Sequence, residues 1–190
     1  SYSSLIAVLV NDAKETVENA FQWSGLRTTL TATTTNGTFN YELNGSLNAV
    51  TVLDVINVTD NFFLKPKGSH EFNKLFLSNN VGTGSPYYYS FNGISTDGDT
   101  KVDLYPIPDT EYTIRFNCVL RTADLVNDAD TITIPTKPIE LLAHALAVEE
   151  RGEDGGMTSV SAYARATTAL QDAVALDSNK HSEELVWYEG

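Results

Sequence analysis

The stretch TITIPTKPIELLAHA, residues 131–145, decides the fold class, because its pattern changes at Pro135. Before that proline, residues 131–134 are β-branched, which predicts a strand. After it, Pro138 suits a first helical turn, where its missing N–H costs nothing. The apolar residues that follow recur at helical spacing: Leu141, Leu142, Ala145 and Val148. The stretch therefore predicts the end of a β-rich segment and the start of a helix.

Two further helices are predicted, one on each side of this stretch. Beyond the break at residues 152–156, a helix is predicted over about residues 159–176, with Tyr163, Thr167, Leu170 and Val174 as its apolar stripe. At the other end of the chain an apolar stripe at three-four spacing predicts a helix: Leu5, Ile6, Leu9, Ala13, Val17, Ala20 and Phe21. Gly25 is placed to stop that helix.

The middle of the chain is rich in Thr, Asn and aromatic residues, which are typical of strands and turns. Asn36-Gly37 predicts a hairpin between residues 29–33 and 39–43. Residues 69–77 predict a short helix. The other predicted strands are residues 50–56, 101–105, 110–120 and 131–134. Their connections are too short for crossover helices, so the pairing is expected to be antiparallel.

The predicted fold class is α+β, with a helical bundle built from both ends of the chain. Residues 1–27 plus 136–190 form the predicted helical unit with a C-terminal tail, and residues 28–135 form a mainly antiparallel, β-rich insertion.

The charge balance excludes a protein that grips nucleic acid by its phosphates. The chain has 12 Lys plus Arg against 25 Asp plus Glu, a formal charge of −13, with no basic run. The need for solubility alone accounts for this excess of acidic residues. A more specific explanation is a surface that does not retain DNA passing beside it. No apolar run approaches the roughly 20 residues of a membrane span. Residues 1–10 lack the pattern of a secretory signal, so intracellular synthesis is expected.

No catalytic, metal or cofactor site is predicted. Cys118 lies in a strand-like stretch and is interpreted as a small core residue. Glu140 and His144 are four residues apart on a helix, but two groups do not make a zinc site, and a surface pair is expected. The stretch DGDTKVD, residues 97–103, lacks the glycine and glutamate of a calcium loop, so a polar hairpin turn is expected.

Four motifs in order carry a family resemblance: GSPYYY at residues 84–89, DLYPIPD at 103–109, IPTKP at 134–138, and YARA at 163–166. Their order resembles the phage head-to-tail adaptor (connector) family, whose short-tailed members include the tail tubular A type. The resemblance covers residues 84–177 well and the N-terminal helix in layout. It is poor over residues 28–80.

The resemblance implies a structural protein of the virion neck or tail, assembled in the host cytoplasm and without catalytic activity. Family members form a ring, usually of twelve subunits, that joins the portal protein above to the tail nozzle or other tail proteins below. It also implies that helices line or surround the channel and that DNA passes without specific binding. No cofactor and no membrane are expected.

Two groups of residues are candidate sites. The candidates for an acidic channel lining are Glu149, Glu150, Glu153 and Asp154. The C-terminal cluster Leu185, Val186, Trp187 and Tyr188 is predicted to dock on the portal or on a neighbouring subunit, since aromatic residues dominate interfaces. The alternative for this cluster is that it folds back onto its own helices.

Two other function classes remain open. A β-sandwich module of a tail or fibre that binds a receptor or carbohydrate would use the Thr/Asn-rich segment, although flanking helices count against it. An enzyme such as a polysaccharide hydrolase is the third class, and no residue spacing nominates an active site for it.

Overall fold

The structure is a computed structural model that describes residues 2–46, 50–77, 80–127, 129–152 and 157–180. The chain divides into two compact units: Ser1–Leu26 with Arg121–Gly190, and Arg27–Leu120. Four α-helices are described, α1 Tyr2–Ala20, α2 Ser69–Phe76, α3 Thr136–Arg151 and α4 Met157–Ser178, and the strands form two mainly antiparallel sheets. The predicted α+β class is confirmed, while its arrangement as a bundle with an inserted sheet remains a prediction.

The first unit is built from α1, α3 and α4. The buried residues of α1 include Ala13 and Val17, and Trp23 follows the helix and donates its indole N–H to the carbonyl oxygen of Val17 at 2.7 Å. Helix α3 begins after Pro135 and ends at Arg151, and Gly152 caps it in the left-handed conformation expected at a C-terminal cap. The predicted limits of this helix are therefore confirmed.

The buried face of α4 differs from the predicted stripe. The structure buries Ala162, Ala166 and Ala173, whereas Thr167 of the predicted stripe is exposed and Leu170 is half-buried. The predicted face is therefore displaced by one residue. Alanine side chains allow two helix backbones to approach closely, and this packing outweighs the larger side chains one position further along.

Two predictions around Gly25 are wrong. Helix α1 ends at Ala20, and Gly25 lies in a separate 3-10 turn, Ser24–Leu26. A Cβ atom at Gly25 would lie 2.1 Å from the carbonyl oxygen of Thr133, so glycine is required here for close approach of two backbone segments. Residues 131–134 do not form the predicted strand, because this segment packs against the turn instead of pairing with a ladder.

The second unit contains two four-stranded sheets. Strands β1 Arg27–Thr33, β3 Val50–Asn57, β4 Phe62–Phe63 and β8 Thr113–Leu120 form one sheet in the order β1-β8-β3-β4. Strands β2 Asn40–Glu42, β5 Lys65–Pro66, β6 Tyr88–Ile94 and β7 Thr100–Tyr105 form the other in the order β2-β7-β6-β5. Inward side chains of both sheets share one core, with Val55, Ile114 and Phe116 from the first and Tyr89, Val102 and Leu104 from the second.

The predicted hairpin at Asn36-Gly37 is wrong. Gly37 does adopt the positive φ of a turn, +79°, but β1 pairs with β8 and β2 pairs with β7. The turn therefore carries the chain from one sheet to the other. The non-local pairing of β1 along its whole length with β8 outweighs the local turn signal, since each strand can then bury one face in the shared core.

The remaining elements follow the sequence closely. Strands β1, β3, β7 and β8 and helix α2 form within or close to their predicted ranges, and β6 is a strand that the sequence analysis did not predict. The pairing is antiparallel as expected, except that the short β5 runs parallel to β6.

Candidate functional site

An uncharged apolar surface covers the first half of α1. Leu5, Ile6 and Val8 are exposed, and residues 2–10 contain no charged side chain. Ile6 is 48% exposed although it lies on the same helical face as Ala13 and Val17, which are completely buried. The core stripe of α1 therefore continues beyond the packing that covers its second half.

A polar face of α1 binds the extended segment at residues 121–125. Asn11 and Leu125 exchange two hydrogen bonds, with the Asn11 amide donating to the Leu125 carbonyl oxygen at 3.1 Å and the Leu125 N–H donating back at 2.8 Å. Arg121 pairs with Glu15 at 2.8 Å. These contacts place residues 121–125 in the helical unit, whereas the sequence analysis assigned them to the β-rich segment.

The most buried contact on this face is a charged cluster. Lys14 Nζ, on a side chain that is 2% exposed, lies 3.4 Å from Glu18 and donates to the carbonyl and hydroxyl oxygens of Thr122, both at 3.0 Å. The Thr122 hydroxyl donates to Glu18 at 2.5 Å. Lys14 and Glu18 are not among the residues of the apolar stripe predicted for α1. Their four-residue spacing was the available signal for an ion pair, but nothing local indicated burial.

Two of the four acidic candidates lie in the described chain, at the C-terminal end of α3. Glu149 and Glu150 are both exposed, and the Tyr163 hydroxyl donates a hydrogen bond to Glu149. That hydrogen bond, with a smaller effect of burial, raises the pKa of Tyr163. Glu149 is thereby held against α4. Glu153 and Asp154 lie outside the described residues.

The C-terminal candidates Leu185, Val186, Trp187 and Tyr188 also lie outside the described residues. The described chain ends at Lys180, beside a groove of about 420 Å³ between the start of α3 and the end of α4. The groove has an apolar lining that includes Pro135, Pro138, Ala173 and Leu176. No local sequence pattern predicts this groove, because it depends on the packing of two helices.

Asp177 lines this groove and ties the end of α4 to Ser24. Its side chain is 5% exposed. It accepts hydrogen bonds from the Ser24 N–H at 2.7 Å, the Ser24 hydroxyl at 2.6 Å and Lys180 Nζ at 2.9 Å. Burial alone would raise the pKa of Asp177, but these donors outweigh it and lower the pKa to about 2. The carboxylate is therefore a charged structural contact.

The motifs at residues 84–89 and 103–109 lie side by side in the second unit. The Gly84 N–H donates to the Ile107 carbonyl oxygen at 2.9 Å, and the Tyr87 N–H donates to that of Tyr105 at 3.0 Å. Tyr89 and Leu104 are buried in the shared core. These motif residues build the fold.

The residues that were considered for metal binding or catalysis lie apart in the described ranges. These ranges contain no group of three or more His, Cys, Asp and Glu side chains that could hold a metal ion. Glu140 pairs with Lys137 at 3.4 Å. Burial raises the pKa of the Cys118 thiol, which keeps it protonated. The expected polar hairpin turn between β6 and β7 is confirmed, with the Ser95 N–H donating to the Asp99 carbonyl oxygen at 2.7 Å.

The chain belongs to the SU10 adaptor protein family, whose family model matches residues 1–185. It is thus a phage adaptor, a structural component of the virion neck that associates with other head or tail components, and the family is not a known class of enzyme. No curated protein matches the sequence. In the part of the chain that is described, no helix is long and apolar enough to cross a membrane.

Proposed function

We propose that this protein forms the head-to-tail adaptor ring that joins the portal protein to the tail and forms part of the DNA channel. The family match over residues 1–185 carries this proposal. We also propose that the protein is similar to the tail tubular A type and that the ring has twelve subunits. The ring would sit between the portal and the tail nozzle.

The apolar first half of α1 supports contact between copies of the chain. Each copy carries a formal charge of −13, so an interface between copies is favoured where no like charges face each other. Residues 2–10 meet this requirement and expose Leu5, Ile6 and Val8. Exposed apolar residues of this kind mark protein contacts.

Acidic side chains would give the channel a surface that does not retain DNA. Glu149 and Glu150 are exposed, and Glu153 and Asp154 follow them in the sequence. DNA is retained when basic side chains displace its counterions, and carboxylates cannot do this. We place these four residues in the lining.

The C-terminal cluster Leu185, Val186, Trp187 and Tyr188 would dock on the portal or on a neighbouring subunit. Deletion of residues 184–190 tests this. The truncated protein is expected to fold with near-normal stability, because the core and contacts described above lie before residue 181, and to lose attachment to portal-bearing heads. Attachment equal to that of the full chain would refute the docking role, and unfolding would show that the cluster is part of the core.

A second candidate function is a receptor- or carbohydrate-binding module, favoured by the outer face of the β1-β8-β3-β4 sheet. There the Thr29 hydroxyl donates to Asn117 at 3.2 Å, and the Asn117 amide donates to Asp54 at 2.6 Å. Such polar groups suit contacts with sugars. Size-exclusion chromatography with mass measurement separates the candidates: a ring or a monomer competent to form one supports the adaptor, whereas a trimer supports a fibre module.

A further inference from the structure

The groove between α3 and α4 lies where the described chain ends. It is lined on the α4 side by Ala169, Ala173 and Leu176, and Lys180 stands at its edge. Leu176 is 71% exposed although it belongs to this apolar lining. Ten residues follow Lys180 in the sequence, and four of them, residues 185–188, are apolar or aromatic.

The groove is within reach of those four residues. The five steps from Lys180 to Leu185 span at most about 17 Å of extended chain. Along a helix, the seven residues from Ala173 to Lys180 rise roughly 10 Å. A chain that turns back after Lys180 therefore reaches the whole α4 side of the groove.

The size and lining of the groove suit aromatic side chains. Its volume is about 420 Å³. Pockets that hold small ligands begin at about 300 Å³, so the groove has room for a bulky side chain. The rim carries both signs of charge, from Lys137, Asp172, Asp177 and Lys180, so apolar burial and not net charge selects the occupant.

We propose that residues 185–188 of the same chain occupy this groove in the unassembled subunit, with Trp187 as the anchor. A tether of four residues, 181–184, gives the cluster an effective concentration in the millimolar range, which a second copy in dilute solution does not match. The inference goes beyond the proposed function, because it assigns the cluster a site on its own chain. Docking elsewhere then requires its release from the groove.

Fluorescence of Trp187 in the full chain tests the proposal. The chain has two tryptophans, and Trp23 is completely buried, so the difference between the full chain and a Trp187→Phe variant isolates the signal of Trp187. We expect that signal to be shifted to the blue and shielded from acrylamide. A double variant, Ala169→Gln with Leu176→Gln, is expected to remove both effects.

The matched control is Val160→Gln with Ala164→Gln, which changes two exposed positions of the same helix outside the groove. This variant is expected to leave Trp187 shielded. A solvent-exposed Trp187 in the full chain overturns the proposal. Shielding that survives the groove substitutions, or that increases with protein concentration, also overturns it, since the cluster then occupies another site or another copy.

A second readout separates this inference from the proposed function. If the groove competes with the portal for the cluster, the groove variant attaches to portal-bearing heads with higher apparent affinity, because a larger fraction of subunits is competent to dock. If Trp187 is released in the groove variant but its attachment to portal-bearing heads is unchanged, the groove does not compete with the portal for the cluster. Failure of all variants and the full chain to attach contradicts the proposed function and leaves the fluorescence result standing.

Discussion

At the scale of single residues, Gly25 is constrained more tightly than the other described glycines, because a Cβ atom there meets a backbone carbonyl at 2.1 Å. We expect Gly25→Ala to lower the free energy of unfolding by about 1–3 kcal/mol or more, as overpacking does. Gly68→Ala is the control, since nothing lies within 4 Å of a Cβ at that position. Chemical denaturation measures both; equal, small losses would contradict the role assigned to Gly25.

Asp177 gives the stability of the helical unit a defined pH dependence. Its pKa of about 2 in the folded chain lies below the ordinary value of 3.8. The contribution of the charged carboxylate to the free energy of unfolding is therefore complete above about pH 4 and is lost as the pH falls toward 2. We expect Asp177→Asn to cost about 1–2 kcal/mol at pH 7 and progressively less below pH 4.

The control for this prediction is Asp172→Asn, an exposed carboxylate on the same helix. Denaturant unfolding at pH 7 and near pH 2.5 should show a pH-dependent difference for Asp177→Asn and little difference for Asp172→Asn. A loss for Asp177→Asn that is the same at both pH values would mean that the hydrogen bonds, and not the charge, carry the contribution.

At the scale of elements, α4 depends on small side chains along its buried face. We expect Ala162→Leu to destabilise the helical unit by about 1–3 kcal/mol, because the extra volume enters a buried position on this face. Ala164→Leu, at an exposed position two residues later, should change the stability by less than about 0.5 kcal/mol. Thermal unfolding compares the two; equal midpoints would place the buried face elsewhere.

The elements themselves could be predicted from local pattern, and their packing could not. Helix α3 has its proline, apolar spacing and terminal glycine within one stretch of sequence. The turn at Asn36-Gly37 also has a clear local signal, but which strands pair is decided by β8, more than seventy residues further on. The burial of Lys14 depends in the same way on Thr122, which is distant in sequence.

The candidate site also has parts that local sequence predicts and parts that only packing creates. The apolar cluster at residues 185–188 and the acidic residues near 150 are visible in the sequence because they are contiguous. The groove needs the start of α3 and the end of α4 together, which only packing provides. The exposed first half of α1 was predicted as part of an apolar stripe, but its lack of cover is a property of the tertiary structure.

At the scale of the whole molecule, the charge of −13 determines the behaviour toward DNA. We expect duplex DNA to bind no tighter than the micromolar end of ordinary non-specific affinity at physiological salt, because the chain has few basic groups to release counterions. Fluorescence anisotropy of a labelled duplex measures this. Tighter binding would contradict both the acidic lining and the free passage of DNA.

The two ends of the β unit meet in one strand pair. Arg27, the first residue of β1, lies opposite Val119, near the end of β8, so the chain enters and leaves this unit at neighbouring positions about 5 Å apart. A segment with adjoining ends can be lost, gained or exchanged with little change in the path of the chain on either side. The path of the chain therefore allows the β unit to be inserted, removed or replaced as one continuous segment.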